Sequence, residues 1–147
     1  MFEAGALAMF TGCYPDRPCF IDHGLAGHPL LSLPRLTVLA GSLPKMDVIY
    51  RSADLTADQY SEILPLEGHA PAALVQGLGT GRNLLQLTDI GEERDYKALT
   101  MDILRPFRPL LKASGAPAIG AKTHVHLASP KALLPFHLET AHRLYMQ

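Results

Sequence analysis

The sequence predicts an α+β fold: a single domain, 1–147, in which a mixed helix and strand region (1–118) leads into the first strands of a β-barrel (119–147). Three observations carry this. Before residue 118, apolar residues recur at helical spacing in several short segments, each next to a β-branched or aromatic run. From Ile119 the period falls to two through Lys122-Thr123-His124-Val125-His126-Leu127, followed by a turn at Ser129-Pro130 and a last run from Leu133 to Gln147. A length of 147 residues with 48% hydrophobic content supports one core and is short for two.

The elements follow in chain order. The start, MFEAGALAMF, is apolar, but Glu3 and the lack of a basic leader argue against a secretory signal and for a buried N-terminal segment. Pro18 to Ile21 reads as an opening strand, and His28 to Leu31 leads into a helix that Ser32 is placed to cap. Pro34 sits in that helix's first turn, Leu36, Leu39, Ala40 and Leu43 are spaced for one buried face, and Gly41 and Pro44 end it. Val48 to Tyr50 reads as a strand, and the polar, acidic run through Gly68 as a surface loop. A second helix opens at Pro71, carries Ala72, Ala73, Leu74, Val75 and Leu78, and stops at Gly77, Gly79 and Gly81. Asn83 to Ile90 is the next strand. Glu92 and Glu93 then favour the N-terminal dipole of a helix with Tyr96, Leu99, Ile103 and Phe107 at helical spacing, kinked or restarted by Pro106 and Pro109.

Composition excludes several function classes. Thirteen basic residues against fourteen acidic ones leave a formal charge of −1, with no Lys/Arg block to track a phosphate backbone, so nucleic-acid binding has no electrostatic support. No apolar run reaches the ~18 residues of a membrane span. Cys13 and Cys19 have five residues between them, not the C-x-x-C spacing of zinc or redox sites, and read as reduced, structural thiols of a cytoplasmic protein. Twelve Pro and twelve Gly are spread evenly, leaving neither a linker nor a repeat.

Three constellations could carry chemistry. Gly77-Leu78-Gly79-Thr80-Gly81-Arg82 has the look of a phosphate loop, but it follows a helix and precedes a strand, so the helix would turn its negative end to a phosphate; it reads as a plain loop. His124 and His126 share one face of a strand and could bind a metal, form an exposed polar stripe, or be hydrogen-bonded core histidines. His137 and Glu139, in Pro135-Phe136-His137-Leu138-Glu139, also share a face, and supply two of the three donors of a 2-His-1-carboxylate Fe(II) site. His142 lies at an odd offset from Glu139, which puts it on the opposite face unless a bulge intervenes.

The context of that third group carries a resemblance. Ser129-Pro130, Pro135-Phe136-His137-x-Glu139, His142, Leu144 and Gln147 resemble the pattern S-P-G-x-x-T-P-[FY]-H-x-D-x-x-H-N-F-x-x-Q of JmjC-like cupins. More faintly, His28-Pro29-Leu30, the Pro34 to Pro44 helix, the Val48-Ile49-Tyr50 and Asn83 to Asp89 strands and Tyr96-Lys97-Ala98-Leu99 are similar in order and spacing to the N-terminal region of bacterial cupin-like proteins, some described as transcriptional regulators.

The resemblance implies a double-stranded β-helix (cupin or jelly roll), present here as its N-terminal part. It implies the chemistry of an Fe(II)- and 2-oxoglutarate-dependent oxygenase, a dioxygenase of hydroxylase or demethylase type, with His137 and Glu139 as metal ligands. Two of the departures from the pattern bear on the enzyme reading. Leu134 stands where a Thr hydroxyl helps to hold 2-oxoglutarate, and Arg143 stands in place of Asn. The pattern's cosubstrate Lys and distal His would come after Gln147. The expectation is therefore a chain incomplete for catalysis, either a fragment or a homo-oligomer in which a second copy covers the open barrel. The alternative is a non-catalytic cupin-like binding or regulatory module, favoured by Leu134 and Arg143.

Overall fold

A computed structural model describes residue 2 and residues 5–14, 16–54, 63–113, 115 and 122–132. Within these the chain is an α+β arrangement of five α-helices and a small, open, antiparallel four-stranded sheet. In chain order these are α1 (Ala6–Cys13), α2 (Leu33–Ser42), β1 (Val48–Ser52), β2 (Ile63–Leu64), α3 (Pro71–Gln76), β3 (Asn83–Leu87), α4 (Arg94–Leu104), α5 (Arg108–Ala113) and β4 (Val125–Ala128). Short 3₁₀ turns at Pro29–Leu31, Lys45–Asp47, Gly77–Gly79 and Ile90–Glu92 join them.

The strands lie in the order β2-β1-β3-β4. Val48 pairs with Leu87 and Tyr50 with Leu85 between β1 and β3, and Leu87 pairs with Val125 and Leu85 with Leu127 between β3 and β4. Side chains alternate along a strand, so this register stacks Val48, Tyr50, Leu85, Leu87, Val125 and Leu127 on one face. That face packs on Leu36, Leu39 and Ala40 of α2 and Leu74 and Val75 of α3, with Leu78, Ile90 and Tyr96 completing the core. Leu87 and Val75 are fully buried. Burying a side chain of this size contributes about 2 kcal/mol.

The helices form where their apolar spacing places them. In α2 the buried residues are Leu36, Leu39 and Ala40, one stripe at helical period. Ser32 takes the N-cap position, but its hydroxyl donates backwards to Pro29 O at 2.8 Å rather than accepting from the first turn. Gly41 lies inside α2, where a Cβ would already touch the Ala72 methyl of α3 at 3.5 Å; the helix runs on to Ser42. In α4, Tyr96 and Leu99 are buried, and the Tyr96 hydroxyl donates to Leu30 O at 2.8 Å. Arg35 of α2 and Asp95 of α4 form an exposed ion pair at 3.0 Å.

Besides the end of α2, three local expectations are corrected. The run through Gly68, read as a surface loop, holds strand β2, in which Ile63 pairs with Arg51 and Leu64 with Tyr50. Residues 18–21 form no strand; Phe20 stands 95% exposed, and an extended run without a sheet partner has no ladder to hold it. The N-terminal segment is helical rather than buried: α1 buries Ala6 alone and leaves Leu7 and Met9 exposed, because its apolar residues are not gathered on one side. It is fastened instead by aromatic edges, with Phe2 and Phe10 each 4.9 Å from the buried Phe107 ring.

Candidate functional site

The sheet's second face is set by the same register. Ile49 pairs with Gln86 and Gln86 with His126; Arg51 pairs with Leu84 and Leu84 with Ala128. These residues alternate with the core-facing ones and so point away from α2 and α3. Most of this face is half-buried or exposed, yet Leu84 is buried, so the sheet has a buried residue on each side.

The segment leading into β4 is tied to the end of β3. Ile90 N–H donates to Thr123 O at 3.1 Å, and the Thr123 and Thr100 hydroxyls meet at 3.1 Å. His124 Nδ1 accepts the Asp89 N–H at 3.3 Å, which makes this imidazole a brace for a left-handed residue, since Asp89 has φ 50°. His126 lies beyond it on β4, opposite Gln86. The two histidines singled out by their alternate spacing therefore have different surroundings. Among the described residues no three His, Cys, Asp or Glu side chains gather as a metal site.

At the far end of β4 a clamp closes on β3. Ser129 N–H donates to Asn83 O and Asn83 N–H donates to the Ser129 hydroxyl, both at 2.9 Å. The Tyr50 hydroxyl donates to Asn83 Oδ1 at 3.2 Å, and the Tyr50 ring meets the His69 ring edge-on at 5.7 Å. Ser129 is buried, and this string of polar groups satisfies it. Beyond the clamp, Ala132 N–H returns to Ser129 O at 3.1 Å. With Pro130 second and Lys131 third at φ 63°, the four residues make the turn that ordinarily needs glycine in third place.

The Asn83–Ser129 clamp escaped sequence reasoning. Its partners are 46 residues apart and neither residue breaks the apolar pattern. The signal present was the Ser-Pro pair after an alternating strand, which located the turn without its anchor. The glycine loop is consistent with a plain loop: it follows α3 and precedes β3, and the Thr80 and Gly81 N–H groups turn inward to Gly77 O at 3.2 and 2.7 Å. Gly81 has no room for a side chain, since a Cβ would lie 2.8 Å from Gly77 O.

His137 and Glu139, with Leu134, His142, Arg143 and Gln147, lie outside the described residues. No helix among the described residues is long and apolar enough to cross a membrane. Compared with protein-family models, with curated proteins and with solved structures, the chain matches none.

Proposed function

We propose that the chain carries the N-terminal helix and strand region and the first barrel strands of a JmjC-like cupin, with the chemistry of an Fe(II)- and 2-oxoglutarate-dependent oxygenase. The observation that carries this reading is the turn at Ser129–Ala132. The cupin pattern writes these positions S-P-G, and Lys131, at the glycine's place, has the positive φ that such a glycine would supply. The packing of α2 and α3 on one face of an antiparallel sheet supports the same reading, as does Leu84 buried on the opposite face, where a barrel would have its interior.

On this reading His137 contributes an imidazole nitrogen and Glu139 a carboxylate oxygen to the metal, the donor types that suit Fe(II). Bound iron would supply open coordination positions for a cosubstrate and oxygen. Leu134 offers no hydroxyl to a 2-oxoglutarate carboxylate, so cosubstrate affinity is expected to be low. That residue and Arg143 favour the second reading, a cupin-like module that works by binding alone.

Anaerobic calorimetry with Fe(II), on the chain and on His137→Ala, separates them. Saturable heat in the chain and none in the variant is the expected result. Equal, negligible heats in both would leave the non-catalytic module as the better account.

A further inference from the structure

Where β2 meets the start of β1, the surface carries an open groove of about 410 Å³. Its apolar lining reaches the core: Val48 is a buried core residue, Leu66 packs against the core cluster, and Leu64 of β2 lies with them. Met46 lines the same groove, yet its side chain stands 85% exposed. Two hydrogen-bonded turns hold the rim. The 3₁₀ turn Lys45–Asp47 is closed by Asp47 N–H donating to Pro44 O at 2.9 Å, and the Thr88 N–H ties it to the end of β3 by donating to Asp47 O at 2.8 Å. The turn that presents Glu67 is closed by His69 N–H donating to Leu66 O at 3.0 Å. Lys45 and Glu67 are both exposed on this rim, and neither is in an ion pair among the described residues.

We propose that this groove is the contact between two copies of the chain related by a two-fold axis, with Met46 of each copy seated in the groove of the other. A two-fold contact needs one surface that carries both a projection and the recess that takes it. Here Met46 is the projection, and Val48, Leu64 and Leu66 line the recess. A long, unbranched thioether adapts to an irregular apolar groove, and methionine is enriched in protein interfaces. The charges agree with the same occupant. Lys45 precedes Met46 and enters with it, so its ammonium reaches the lip where Glu67 of the partner stands, and the two-fold axis repeats that pair.

Pro65 argues against a strand as the occupant. It follows the two-residue strand β2 directly and has no N–H to offer, so this edge extends poorly by backbone pairing and is reached by side chains instead. A small apolar molecule would fill the recess but leave Met46, Lys45 and Glu67 without a role. Because the turns are fixed before association, little ordering is needed on contact. A contact centred on one groove is at the small end of specific interfaces, so the dimer forms reversibly as concentration rises. The groove lies on the helix-covered side of the sheet, and the proposal does not depend on the cupin reading.

Sedimentation equilibrium of the full chain, from micromolar to near-millimolar concentration, tests this. The wild-type chain is expected to pass from monomer to dimer and no further, since a two-fold contact closes on itself. Met46→Asp is expected to stay monomeric throughout. Lys45→Glu or Glu67→Lys alone should weaken the dimer by roughly tenfold or more, and the two together should restore it. All three side chains are exposed, so unfolding midpoints at dilute, monomeric concentration should be nearly unchanged. A wild-type chain that remains monomeric at every concentration would overturn the proposal and leave the groove to a small apolar molecule or another protein. A dimer that survives Met46→Asp uses another face and overturns it equally, as does a double charge reversal no stronger than the single ones.

Discussion

Lys131 holds a backbone conformation that side chains with a Cβ resist. At φ 63° its Cβ crowds the neighbouring carbonyl, a cost of about 1 kcal/mol that glycine escapes. The turn persists because both ends are held, by the Ser129–Asn83 clamp and by the Ala132 N–H to Ser129 O bond. Lys131→Gly removes the strain while giving back part of the gain through a more flexible unfolded chain. The expected net effect is a stabilisation of about 0.5 kcal/mol, read as a higher urea midpoint at unchanged slope. A lower midpoint would mean that the lysine side chain contributes more than its backbone costs. Asp89 occupies the same region of backbone space at φ 50°, but Asp tolerates it better, and its N–H is satisfied by His124.

At the scale of elements, α4 is joined to the turn before α2 through one buried phenol. Burial first, and then the nearby Asp95 and Glu93 carboxylates, push the Tyr96 hydroxyl above the ordinary tyrosine value, against the opposing charge of Arg35. The folded state thus holds this proton more tightly than the unfolded chain does. Its contribution is fully present below the unfolded value of about 10 and is lost as pH rises through the folded one. Stability should therefore fall in the alkaline range beyond what a Tyr96→Phe variant shows. At neutral pH the variant should be weaker by about 1 kcal/mol, having lost the bond to Leu30 O. Matched unfolding curves at pH 7 and near pH 10.5 check both parts; parallel losses in the two proteins would assign the alkaline effect to other groups.

The whole molecule divides into what local pattern writes and what distant pairing writes. Leu36, Leu39 and Ala40, or Tyr96 and Leu99, announce their helices because spacing alone sets which face is buried. The strands read at Val48 to Tyr50 and Asn83 to Ile90 exist for the same local reason, although they run Val48–Ser52 and Asn83–Leu87, but β2 is two residues long and exists only through its pairing with Tyr50 and Arg51. Residues 18–21 have strand-like composition and no partner, which composition cannot reveal. At the candidate site the Ser129–Pro130 turn was legible from its residues; the Asn83 anchor that makes it rigid depends on a contact 46 residues away.

That division extends to stability. The sheet core gathers Val48, Leu85, Leu87, Val75, Leu36 and Tyr96 into one cluster, whereas α1 buries only Ala6 and meets Phe107 through ring edges at 4.9 Å. Elements held by few buried contacts open more readily than the core. Phe107→Ala removes the ring that both Phe2 and Phe10 contact, a truncation of the kind that costs about 3–5 kcal/mol when its loss is felt globally. Here most of the loss should be local. Hydrogen exchange should quicken by roughly 100-fold or more at the α1 amides of Met9 and Phe10, whose bonds hold the helix, while the Leu85 and Leu87 amides of β3 keep nearly all their protection. Equal loss in both places would mean that α1 and the sheet unfold as one cooperative unit, with the three aromatic rings part of a continuous core.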